Sequence, residues 1–175
     1  MSVESANINI VVVDSVSLLQ SVIDAAVTGL RTDSPSLFIN LEGMNLGRCG
    51  SISIMSVYVP NKSIVYLIDV HKLGNEAFST VNRDGKSLKY VLECPAMLNV
   101  LFDARRDLDA LSALFGLSVD GIRDVQLMEL GTRKESKDFL AGLDKCVVND
   151  SNFRQQRNKH GGLTKLILGD CLILL

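Results

Sequence analysis

Leu37-Phe38-Ile39-Asn40-Leu41-Glu42 is the stretch on which the fold turns. It is a short apolar run that ends in alternating polar residues, which predicts a β-strand. Side chains two apart on a strand share a face, so Asn40 and Glu42 point the same way. Downstream, Ser51–Val59 alternates cleanly and predicts a second, half-buried strand. Pro60-Asn61-Lys62 reads as a turn, and Ile64–Val70 as the next strand. Short connections between the three predict a meander. Upstream, Ile8–Val13 reads as a strand or a strand-like N-terminal arm. Asp14 or Ser15 could cap the helix that follows, whose Leu18, Leu19, Val22, Ile23 and Ala26 recur at core-facing spacing.

The second half changes character. Asn82–Lys86 reads as a loop. Leu88, Val91 and Leu92 predict a helix that stops before Pro95. Val100-Leu101-Phe102 is a short strand, and Asp107–Phe115 a helix with Leu108, Leu111, Leu114 and Phe115 on one side and Gly116 as its stop. Ile122–Met128 begins as a strand and runs into a helix, and Phe139–Val147 reads as helical. Ser151–Gly162 is polar and loop-like, and Leu163–Leu175 is apolar with Asp170 as its only acid. Early strands followed by alternating strands and helices predict an α/β layer fold, a mixed sheet with helices on its faces.

Composition bounds the function. The 175 residues fit one domain with a substantial core, and 47% hydrophobic with 22% charged residues excludes disorder as the main state. A formal charge of −2 leaves no general basic field, so any nucleic-acid binding must be local. Cys49, Cys94, Cys146 and Cys171 are scattered with no CxxC pair. This argues against a zinc site or disulfide framework and predicts an intracellular protein, cytoplasmic or nuclear. No run is long enough for a membrane span, no signal-peptide pattern is present, and no glycine-rich phosphate loop occurs.

The acids carry the chemistry. Glu42 ends an apolar strand, Asp107 opens a helix just past another strand, and Asp170 interrupts an apolar segment. Brought together, three carboxylates would repel one another, and a divalent cation such as Mg²⁺ or Mn²⁺ would relieve that repulsion. Two such ions about 4 Å apart can activate water and stabilise the leaving oxygen of a phosphodiester. The competing reading makes Asp107 a helix cap, Glu42 a surface charge and Asp170 a solvated residue.

The order of the segments favours the first reading. Phe38–Gly43 followed by Leu46–Ile54 resembles the first motif of the ribonuclease D-like (DEDD) 3′–5′ exonucleases, an Asp-x-Glu strand with a glycine-containing turn. Phe102–Leu111 resembles their second motif, with Asp107 at its metal-binding aspartate, and Gly121–Met128 is similar to the segment that follows. Leu166–Asp170 sits where the third motif, Tyr-x-x-x-Asp, would fall. The resemblance covers about residues 15–175 of a single domain spanning 1–175. It implies a ribonuclease H-like mixed sheet with helices on both faces. It also implies Glu42, Asp107 and Asp170 as catalytic, metal-binding acids.

Two departures alter the expected function. Asn40 stands where the family has its first metal-binding aspartate, and Leu166 where it has the water-orienting tyrosine. Lys165 occupies the position of the histidine used by a sister branch. A neutral amide cannot balance a cation, and leucine has no polar atom. The resemblance therefore implies weak Mg²⁺ or Mn²⁺ binding and an impaired domain that serves as a nucleic-acid or protein interaction module. Arg48, Arg105 and Arg106 are its candidate nucleic-acid contacts, with single-stranded nucleic acid, a protein or a second copy as partner. An active metal-dependent exonuclease on single-stranded RNA or DNA, and a dimerising scaffold, are the alternatives.

Overall fold

A computed structural model describes residues 8–30, 34 and 36–146. Its element order is β1 (Asn9–Val13), α1 (Val16–Gly29), β2 (Ser36–Glu42), β3 (Ile54–Val59), β4 (Ile64–Asp69), α2 (Val70–Leu73), α3 (Glu76–Ser79), α4 (Leu88–Leu92), β5 (Leu98–Leu101), α5 (Arg105–Phe115), β6 (Ile122–Asp124) and α6 (Val125–Thr132). Asp170, Leu166, Lys165 and the whole Leu163–Leu175 segment lie outside the described residues.

The strands form one mixed sheet in the order β1-β4-β3-β2-β5-β6. β2, β3 and β4 are the antiparallel meander, with Asn40 opposite Ser56 and Glu42 opposite Ile54. β5 and β6 join parallel to β2, and β1 joins parallel to β4 at the other edge. Parallel pairing needs a crossover, and α4 and α5 supply it before β5 and β6.

Strand alternation sends Leu37, Ile39 and Leu41 into the main core with Met55, Val57 and Ile68. α1 adds Leu19, Val22, Ile23 and Ala26, the predicted helical stripe, while Leu18 is left half-exposed. Phe38, Tyr58, Val65 and Val100 form a second, smaller cluster on the opposite face with Val125, the first residue of α6. Helices thus flank both faces. Asn40 and Glu42 belong to the face of the smaller cluster, in step with Phe38.

Local chemistry redraws several boundaries. β3 begins only at Ile54, because Ser51 closes the preceding loop by donating to the Met44 carbonyl at 2.9 Å. Gly43 permits that closure: a Cβ there would stand 1.8 Å from the Ser51 carbonyl oxygen. β4 ends at Asp69, whose carboxylate accepts the Lys72 N–H at 2.8 Å and caps α2, so Val70 is helical. Ser15 holds the N-cap position of α1, but its hydroxyl meets Ser17 rather than a helix N–H, and Asp14 pairs with Lys72 at 2.7 Å.

The expected helix over 139–147 is overturned for 139–142, half of its described residues. Only 143–146 is helical among its described residues. Arg133 donates to the carbonyls of Ser136 (3.1 Å) and Phe139 (2.9 Å), and the Gln126 amide donates to the Ala141 carbonyl at 3.0 Å. These bonds hold the backbone in a non-helical path and leave the Phe139 ring 82% exposed. Arg133 is itself fixed by a two-pronged pair with Glu129 one turn earlier.

Candidate functional site

The site stands where β2 and β5 part. Their pairing runs from Ser36↔Leu98 to Phe38↔Val100 and then stops. Beyond it, the N–H groups on that edge of β2 need other partners. α5 brings the carboxyl of Asp107 across this gap, where the Leu41 amide favours its charged form.

α5 aims Asp107 inward by its own periodicity. Asp107, Ala110 and Leu111 form its buried stripe at i, i+3 and i+4. Leu114, expected on the core side, is instead 36% exposed. Asp107 is not a cap: Ala104 holds the N-cap position, and Asp107 lies in the first turn with only 7% of its surface exposed. Burial pushes its carboxyl up from 3.8 to about 7. The Leu41 amide opposes that rise, while the charges of Asp103, Glu42 and Asp124 add to it. Glu42 and Asp107, predicted to converge, therefore lie within electrostatic range, and Asp103 and Asp124 join them. The third expected acid, Asp170, is outside the described residues.

Each of the other acids has its own counter-group. The Asn40 side-chain amide donates to Glu42 Oε1 at 3.3 Å. The amide orientation follows from chemistry, since its oxygen would face the carboxylate lone pairs. Asp103, in a left-handed backbone conformation at φ 54°, pairs with Arg105 at 2.7 Å, which holds its carboxyl below the ordinary value. Asp124 Oδ1 accepts the N–H groups of Asp103 (3.2 Å), Gln126 (2.9 Å) and Leu127 (3.4 Å), and its Oδ2 accepts that of Ala104 (3.0 Å). One carboxylate thus caps α6 and also ties down the turn from which α5 starts. An Asp directly before Val-Gln-Leu is a cap signal in the sequence. Its second task, across 20 residues, has no local signal.

A divalent cation needs several converging anionic oxygens. Among the described residues no group of three or more His, Cys, Asp or Glu side chains is arranged to hold a metal ion. The hydrogen bonds point the same way: an amide N–H addresses Glu42, and backbone N–H groups take both oxygens of Asp124. The described residues do not fit a paired-cation site.

The candidate phosphate contacts gather around the start of α5. Arg105 and Arg106 are in its first turn. Arg48, from the loop after β2, reaches Asp109 on the same helix at 3.1 Å. Arg106 is exposed and has no ion pair among the described residues. Among the described residues no helix is long and apolar enough to cross a membrane.

No family profile matches the chain. The mouse piRNA biogenesis protein EXD1 is 31% identical over 94 residues, 54% of this chain but only 15% of that protein's length. Trypanosoma brucei RNase D, solved in complex with RNA U12, superposes with a TM-score of 0.69 at 20% identity, covering 96% of this chain and 60% of that one. The EXD2 exonuclease domain, solved after soaking in Mn, gives 0.58 at 19% identity, covering 93% and 82%. This chain has the ribonuclease D-like, DEDD 3′–5′ exonuclease fold, a ribonuclease H-like α/β architecture.

Proposed function

We propose that the chain is a 3′–5′ exonuclease-like domain that has lost efficient cleavage and binds single-stranded nucleic acid. The observation that carries this reading is the Asn40 amide N–H on Glu42 at 3.3 Å. Two-metal hydrolysis needs carboxylates that converge on cations. Here one of the pair is an amide, and its donor addresses the other. The replacement of the expected tyrosine by Leu166 supports the same reading.

Binding is supported by Arg48, Arg105 and Arg106 around the start of α5. Two of them sit in solvent-screened, exposed ion pairs, so a phosphate can displace the aspartate partner at small cost. RNA is the favoured ligand: the T. brucei relative is solved with RNA, and the mouse relative is named for piRNA biogenesis.

The test uses end-labelled single-stranded RNA with Mg²⁺ or Mn²⁺. Expected is retention on filters without shortening. Neutralising about three phosphates gives a slope of about −2 in log affinity against log salt. Arg106→Glu weakens binding. A ladder of 3′ shortening that Glu42→Ala abolishes would overturn the loss of cleavage, and no salt-sensitive retention would overturn the binding.

A second reading, a homodimer, is favoured by β1. It is an edge strand without proline or lysine, and its Ile10 and Val12 are 63% and 60% exposed. Light scattering separates the two readings, since a monomer at working concentration excludes the dimer.

A further inference from the structure

We infer that the acidic end of the sheet is satisfied internally, without a cation, and that the Asn40 amide is the group on which this depends. The inference rests on taking Glu42 and Asp107 as counterparts of the family's metal-binding acids. It does not rest on nucleic-acid binding.

Carboxylates crowded at one strand end raise one another's energy, and a bound cation is the usual relief. Four acids stand toward this end of the sheet, and each has its own protein-supplied setting. Glu42 has the Asn40 amide. Asp103 has Arg105, and the nearby charge of Arg106 also lowers its carboxyl. Asp124 has backbone N–H groups from two helix starts. Asp107 is set apart from them by burial, on the inner stripe of α5 with Ala110 and Leu111.

Three of these reliefs come from the backbone, from burial or from a charge on the adjacent helix. They would persist in a relative with aspartate at position 40. Only the relief of Glu42 comes from the residue that departs from the family pattern. Aspartate there would turn a donor into a second anion two residues from Glu42 on the same strand face. It would leave the Glu42 carboxylate without a donor among the described residues and restore the need for a cation.

The experiment follows thermal unfolding of the 175-residue chain and its Asn40→Asp variant, each in EDTA and in millimolar Mn²⁺. The wild-type midpoint should be the same in both media within about 1 °C, since a ligand that does not bind the native state leaves stability unchanged. Asn40→Asp should fall by about 2–6 °C in EDTA and recover most of that loss in Mn²⁺. Adding Glu42→Gln to Asn40→Asp removes the repulsion and should remove the Mn²⁺ dependence. A wild-type midpoint raised by Mn²⁺ overturns the inference. So does an Asn40→Asp midpoint equal to wild type in EDTA. Should Asn40→Asp fold only when Mn²⁺ is present, the inference is upheld in its strongest form. Should it fold in neither medium, the wild-type comparison alone decides. RNA retention is measured separately, so failure of the binding proposal leaves this result readable.

Discussion

Glu42 and Asp124 stand at the same end of the sheet, yet they are held very differently. Glu42 ends β2, faces solvent, and among the described residues its carboxylate receives one bond from one side chain. Asp124 ends β6 and receives bonds from the backbone of four residues in two segments. The first is an exposed group that the architecture does not need. The second is a fastener that α5 and α6 both use. An acid in a functional motif can thus be dispensable for the fold, while an acid outside the expected site residues holds the site's scaffold.

The largest effect is expected at Asp124. Asp124→Ala leaves several N–H groups at two helix starts without an acceptor. It should destabilise the chain by about 2–4 kcal/mol in chemical denaturation. Glu42→Ala should stay within about 0.5 kcal/mol of wild type, because water replaces the lost bond at an exposed site. Equal losses from the two would dissolve the contrast.

Asp107 gives the next largest effect, and its sign depends on pH. The carboxyl rises from 3.8 when unfolded to about 7 when folded. Between those values the folded state holds a proton that the unfolded state releases, so stability falls as pH rises. The stabilisation is complete below about pH 4 and is lost as pH climbs through 7. Asp107→Asn, measured in EDTA, should therefore gain about 1–3 kcal/mol over wild type at pH 8 and nothing at pH 4. A gain that does not vary with pH would show that burial, not ionisation, controls this site.

Arg133 sharpens the contrast from a neighbouring segment. Its guanidinium serves Glu129 and two carbonyls at once, a fork that lysine cannot reproduce. Arg133→Lys should lower the unfolding midpoint slightly and speed amide exchange over 136–141. Smallest is Arg48→Ala. It removes an exposed pair and should change stability by less than about 0.5 kcal/mol, while still weakening any RNA retention.

Where the pattern was local, the elements could be read ahead of the structure. The meander over 36–69, the helix ended by Gly116 at φ 62°, and the strand-to-helix passage at Asp124 follow from alternation, glycine conformation and capping. The segment over 139–142 was misread because its apolar residues fit a helix, while Arg133 and Gln126 bind its carbonyls from outside the segment. Asn99 escaped notice for the same reason. It lies fully buried in β5 and donates to the carbonyls of Leu92, seven residues back, and Asp120, 21 residues on, both outside its own strand.

The sequence by itself determined the strand that carries Asn40 and Glu42 on one face, and the neutral amide at position 40, because side-chain alternation and residue chemistry are local properties. Only the tertiary structure decided that this amide donates to Glu42, that Asp107 is buried against the Leu41 N–H, and that Asp124 fastens two helices. Those outcomes depend on where β2 and β5 separate and on which N–H groups are left unpaired there, and hydrogen bonds between distant segments leave no periodic trace along the chain.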